Sequence, residues 1–333
     1  MYDFLTGLNI FLILLVLAVS LFILSKSADY LVDNAVKLSE MIGLPEIIIG
    51  ATIVSLGTTL PELSASIVSA LQGNSGFALG NAVGSIITNT SLILGVGALF
   101  GAIPVDKKTS KKIGIFIMIV LLLIVPVILL KGKNWDSYIP QWMGFVYIAI
   151  IPVYLYYLVR QEKKNSEVRG MKHRETGKIF LCIFKILAAA LIIALSSSSL
   201  VASAEILAER IHIPDVIISS TLVAFGTSVP ELSTCIAAVK NKHGGLAIGN
   251  ILGANILNVL FVIGVSDALT KGGIAVTQSF FMIHFVSLII ILAVFGYFAF
   301  NKKINEIQKK EGIVLILFYI LYLCANLLSI RIK

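Results

Sequence analysis

The chain has 333 residues, 58% of them hydrophobic and 13% charged, with a formal net charge of +8. Soluble proteins carry about 25% charged residues, so an ordinary soluble globule is excluded. The basic excess is not a nucleic-acid footprint either, because the lysines and arginines lie mostly between apolar runs of membrane-spanning length.

Ten spans follow in order, near 7–36, 45–72, 77–100, 113–131, 139–160, 179–208, 214–240, 246–269, 278–300 and 312–330. Five fall in each half, and an odd number per half turns the second copy upside down in the bilayer. The expected fold is an all-α membrane protein of ten transmembrane helices forming two inverted five-helix repeats. Residues 1–160 make the first repeat, 161–178 a linker and 179–333 the second.

Loop charges agree. Lys107, Lys108, Lys111 and Lys112 follow the third span, whereas the mated loop after the eighth holds only Lys271. Lys302, Lys303, Lys309 and Lys310 precede the tenth span, against Lys131 and Lys133 before the fifth. The linker is the most basic of all. Basic loops stay on the cytoplasmic side, which places the linker in the cytoplasm and both termini outside a cell membrane.

Within each half one segment is repeated, about 45–101 and about 214–270. Thr52 onward reads TIVSLGTTLPELSASIVSALQGNSGFALGNAVGSIITNTSLILG, and Thr221 onward reads TLVAFGTSVPELSTCIAAVKNKHGGLAIGNILGANILNVLFVIG. Each residue of the first has its mate 169 positions later, without a gap. Both copies carry Pro-Glu inside an apolar run, Pro61-Glu62 and Pro230-Glu231. A carboxylate at that depth is costly and marks a functional site.

Pro61 removes an amide donor and clashes with the carbonyl of Gly57, so a kinked or partly unwound span is expected there. Open backbone at membrane depth survives only where it lines protein or a polar cavity. Ser55, Thr58 and Glu62 share one helical face, mated by Ala224, Thr227 and Glu231. Asn81, Ser85, Thr88 and Asn89 share another, mated by Asn250, Ala254, Leu257 and Asn258. Two carboxylates with hydroxyls, amide oxygens and freed carbonyls form an all-oxygen set suited to Ca²⁺ or Na⁺. There is no His-Cys cluster for zinc or copper. Gly80 and Gly84 predict close helix packing, His284 a packing or hydrogen-bonding role, and Cys182, Cys235 and Cys324 small core positions.

GTTLPEL and GTSVPEL, followed by GNAVGSIITN and GNILGANILN, resemble the two alpha-repeats of the sodium/calcium exchangers, within the cation/calcium antiporter superfamily. That resemblance implies Glu62 and Glu231 as central calcium ligands with the carbonyls of Thr58 and Thr227. It implies sodium ligation by the same glutamates, by the hydroxyls of Thr58, Thr227 and Ser85, and by the carbonyls of Ser55 and Ala224. Asn89 and Asn258 join the ligand set, while Thr59, Ser228, Asn81 and Asn250 line the passage. Two positions depart from the family pattern: Ala254 stands where a serine is common, and Asn258 where many members have an aspartate.

The resulting expectation is an antiporter exchanging cytoplasmic Ca²⁺ for external Na⁺ by alternating access, with the first and sixth spans sliding on a fixed core. Its partners are inorganic cations and the lipid bilayer, with no nucleic acid and no cofactor beyond the transported ions. A Ca²⁺/H⁺ exchanger is the alternative, and a passive cation channel comes behind it, since inverted repeats in one chain favour alternation. No nucleophile-base or metal constellation beside the glutamates suggests an enzyme.

Overall fold

A computed structural model describes residues 6–132, 137–163, 176–210, 226–301 and 305–331. Its helices are α1 (Ile10–Ile42), α2 (Glu46–Leu71), α3 (Ser75–Phe100), α4 (Lys107–Leu129), α5 (Gln141–Lys163), α6 (Thr176–Arg210), α7 (Val229–Lys240), α8 (Gly244–Leu269), α9 (Phe281–Phe300) and α10 (Lys309–Arg331). Nine of these are long and apolar enough to cross a membrane among the described residues. The tenth expected span, 214–240, is described only from Gly226, and α7 is its final part. The molecule is thus an all-α membrane protein built as two inverted five-helix repeats.

α3 and α8 are innermost. The central window of α8 is 94% buried and that of α3 72%, against 17% for α1. This fits their sequences, since α8 is apolar all round with glycines and asparagines interspersed, as suits a helix enclosed by other helices. α2 crosses α8 closely. A Cβ on Gly253 would lie 2.6 Å from the Ala51 Cα and 2.5 Å from the Ser55 hydroxyl, so only glycine permits the approach. The mated Gly80 and Gly84 meet nothing closer than 3.9 Å among the described residues. The segment mated to Ala51–Ser55 lies outside those residues.

α1 and α6 flank the bundle and join its core through one face each, Leu31, Ala35 and Leu38 on α1 and Ile186, Ala190 and Ile193 on α6. They have 33 and 35 residues, about 50 Å each at 1.5 Å per residue, so they cross a roughly 30 Å hydrocarbon layer only with tilt. They run antiparallel along one another. The Cys182 thiol donates to the Asn34 carbonyl at 3.1 Å, and Arg210 donates to the carbonyls of Thr6 and Leu8 at 3.0 and 2.6 Å. At that last end Ile13, Ala202 and Ile206 form a small apolar cluster separate from the main core. Phe11, Phe22, Phe180 and Phe184 face outward, as lipid contacts should. Gly43, at φ +67°, closes α1 in the left-handed conformation that glycine adopts without strain.

Two small antiparallel ribbons link the halves. β1 (Ile103–Pro104) pairs with β4 (Glu306–Ile307), and β2 (Ser137–Ile139) pairs with β3 (Ile274–Val276). β2 and β4 hold equivalent places in the two copies. Because α4 runs from β1 to β2, the ribbons close opposite ends of the bundle.

The irregular backbone differs from expectation. Ser55–Leu71 stays α-helical with Pro61 inside it, and the widening lies upstream, as a π-helical turn at Gly50–Val54. Proline is tolerated in membrane helices when neighbours re-satisfy the freed carbonyls. In the second copy the helix does break: Thr227–Ser228 form a turn and α7 starts at Val229. Pro230 then falls in the first helical turn, where its missing N–H costs nothing. Further π-helical turns begin at Asn89 and at its mate Asn258. Cys182 and Cys235 are buried as expected, whereas Cys324 is exposed on α10 among lipid-facing leucines.

Candidate cation site

The two glutamates lie at the centre of the bundle with 0% and 1% exposure, Glu62 on α2 and Glu231 in the first turn of α7. Their charges act on one another, and no lysine or arginine pairs with either among the described residues. Both Glu62 carboxylate oxygens and Glu231 Oε2 have no hydrogen-bond partner. Uncompensated carboxylates in a low-dielectric interior cost several kcal/mol each. The arrangement therefore requires a cation or protons among them.

Polar side chains from the two copies interlock around the pair. Thr58 Oγ1 donates to the Ser55 carbonyl at 3.4 Å or to Asn250 Oδ1 at 3.3 Å, and it also reaches the Glu231 carboxylate. Its mate Thr227 donates to Asn81 Oδ1 at 3.3 Å. Asn81 Nδ2 in turn donates to the Glu62 carbonyl at 3.2 Å and to Ser66 Oγ at 3.0 Å. Asn250 Nδ2 donates to Thr234 Oγ1 at 2.9 Å, and Ser228 Oγ meets Ser85 Oγ at 3.4 Å. The asparagines thus spend their N–H groups on neighbours. Asn89 Oδ1, Asn258 Oδ1 and Thr59 Oγ1 are left buried without partners.

Ser55, Thr58, Thr59, Glu62, Ser85, Asn89, Ser228, Glu231, Asn250 and Asn258 are all buried, and Asn81 and Thr227 half-buried. Ala224 lies outside the described residues. Ala254 is fully buried and brings no oxygen. No group of three or more His, Cys, Asp or Glu that could hold a metal occurs among the described residues. His284 bonds the Tyr322 hydroxyl at 3.0 Å and stacks on Phe280, the bland role expected for it.

Several polar residues were not anticipated. Ser66 and Thr234 bond Asn81 and Asn250 within the interlocked set, Asn255 and Thr90 form a separate buried series with Asn89, and Asp267 is a buried carboxylate accepting the Ile274 amide at 3.1 Å. Their mates are apolar or non-equivalent: Ile86 for Asn255, Val259 for Thr90, Ala65 for Thr234 and Ala98 for Asp267. A search for doubled polar positions passes over all of them. Their own signal was only a polar residue within an apolar run.

Comparison with known proteins agrees with this geometry. The family profile described as "Sodium/calcium exchanger protein" matches residues 12–160 and again 181–328. The chain is 30% identical to the sodium/calcium exchanger MaX1 of Methanosarcina acetivorans, over 93% of this chain and 97% of that one. It is 30% identical to the putative antiporter CaxA of Alkalimonas amylolytica, over 91% and 95%. The structure of the sodium-calcium exchanger NCX_Mj soaked with 10 mM Na⁺ and zero Ca²⁺ superposes with a TM-score of 0.79 at 26% identity, covering 95% of this chain and 99% of that one. With the doubled motif, the inverted helical halves and the buried glutamate pair, these matches make the chain a member of the sodium/calcium exchanger family of membrane antiporters.

Proposed function

We propose that the protein exchanges cytoplasmic Ca²⁺ for external Na⁺ by alternating access. The observation that carries this reading is the pair Glu62 and Glu231, wholly buried and without a cationic neighbour. One Ca²⁺ neutralises their combined charge of −2, and Glu62 Oε1 and Oε2, Glu231 Oε2, Thr59 Oγ1, Asn89 Oδ1 and Asn258 Oδ1 are free to accept it. Sodium ions serve in its place with the hydroxyls of Thr58, Thr227 and Ser85 and the carbonyls of Ser55 and Ala224. The empty pair resists enclosure, so the transporter changes access when loaded and not otherwise. That is the requirement for obligatory exchange.

The division is residues 1–160 and 179–333 around a cytoplasmic linker at 161–178, with both termini outside a cell membrane. The doubled profile match and the alternation of basic loops support it. α1 and α6 form the moving pair. They pack along each other and keep a separate apolar cluster at one end, while the ribbons tie the remaining helices together.

Purified protein in vesicles tests the assignment. Calcium flux should require an opposing Na⁺ gradient and stop when Na⁺ is replaced by K⁺. Flux that follows a pH gradient and ignores sodium replaces the assignment with Ca²⁺/H⁺ exchange. Flux without any counter-ion indicates a channel.

A further inference from the structure

We infer that Asn255 is a positioning residue: it fixes which end of the Asn89 amide faces the cation site. This rests on the calcium site proposed above and adds to it a residue that touches no ion.

A primary amide has two unlike ends. Its oxygen attracts a cation and its NH₂ group repels one, yet the two have nearly the same shape. A ligand asparagine is useful only when something holds its NH₂ group away. At Asn89 that something is visible. Asn89 Nδ2 donates to Asn255 Oδ1 at 3.0 Å, and Asn255 Nδ2 donates to Thr90 Oγ1 at 2.9 Å. Asn89, Thr90 and Asn255 are all at 0% exposure, so the series is closed to bulk solvent. Thr90 anchors the series. Its hydroxyl oxygen has two lone pairs, and one of them accepts the Asn255 amide N–H. Once Asn255 donates to Thr90, only its oxygen is left for Asn89, and Asn89 Oδ1 is then the buried oxygen without a partner.

The mate of this device is missing. Ile86 stands where the first copy would need an equivalent of Asn255, and it is fully buried. Asn89 and Asn258 open equivalent π-helical turns, yet among the described residues only Asn89 is held by an amide from the other repeat. The first half therefore presents a fixed oxygen, and the series crosses from α3 to α8, tying the orientation to the contact between the two halves.

The test is calcium binding by calorimetry on the purified full chain, alongside the Ca²⁺ dependence of flux in vesicles. Asn255→Leu should weaken apparent Ca²⁺ affinity about tenfold, the scale of one lost oriented contact, with maximal flux within about twofold of wild type. Asn255→Asp keeps an acceptor for Asn89 Nδ2 and should restore affinity to within about threefold. In an Asn89→Ala background Asn255→Leu should have almost no further effect on affinity, because the two act in series. Should Asn255→Leu fail to fold, Thr90→Val carries the test, with a smaller loss in the same direction. Unchanged affinity in the Leu variant overturns the inference. So does equal loss in the Asp variant, or the same tenfold loss in the Asn89→Ala background. Failure of the calcium site itself is seen separately, as normal flux in Glu62→Gln.

Discussion

Glu62 and Glu231 are visible in the sequence because each is a charge in an apolar run and each repeats the other's setting. Removing one charge should remove exchange while sparing the fold. Glu62→Gln and Glu231→Gln are each expected to lower calcium flux at least a hundredfold, and thermal unfolding provides the control. Wild type should be stabilised by Ca²⁺, by about 2.7 kcal/mol at a hundredfold excess over Kd, and the Gln variants should show little of that shift. Near-normal flux in either variant removes the site. Ala254 is a second residue-level test. It is buried at a position that provides no oxygen, while its mate Ser85 has a hydroxyl. Ala254→Ser should raise apparent Na⁺ affinity several-fold with little change for Ca²⁺, read from the Na⁺ dependence of flux. Asn255 marks the limit of such reading. Its importance lies in a bond to Asn89, 166 residues away in sequence, and its own mate is an isoleucine.

At the scale of elements, nine of the ten spans are legible among the described residues because lipid imposes both length and polarity on a helix, although α1 runs on to Ile42 where the sequence pattern ends it near 36. The place where backbone opens is legible in the second copy, which breaks at Thr227–Ser228, but not in the first. Proline and glycine at Gly57–Pro61 point to a kink or unwinding there; the first copy does not unwind through them and widens instead at Gly50–Val54. Packing decides this, and packing partners come from the other repeat. The glycine pairs show the same thing: equal spacing in both copies, with demonstrated close contact at Gly249 and Gly253. Gly253→Ala should therefore push α2 from α8. We expect a loss of about 1–3 kcal/mol, as for overpacked sites generally, and a lower maximal flux, measured by denaturation in detergent and by vesicle uptake.

For the whole molecule, the pairing of α1 with α6 makes a mechanical claim. If the two move as one body, a bond between them changes nothing. Cysteines replacing Ile13 and Ala202, which share the separate apolar cluster, should form a disulfide that leaves exchange within about twofold of the reduced protein. Loss of exchange on oxidation, recovered on reduction, indicates that the helices slide past each other. The two ribbons suggest the complementary expectation for the remaining helices, since each joins a strand of one repeat to a strand of the other at opposite ends.

The break at Thr227–Ser228 has no counterpart at Thr58–Thr59, where α2 runs on as helix. Two copies of one design are thus caught in two shapes at the same moment. In an inverted pair, trading those shapes is equivalent to turning the molecule over. On the alternating access proposed above, the opposite-facing state is expected to have α2 broken before its Pro-Glu and α7 continuous through Thr227. Hydrogen exchange under conditions that favour each access side should show protection leaving the amides around Thr59 as it arrives at those around Ser228. Protection that rises or falls at both places together would mean that the two copies keep their present shapes throughout the cycle.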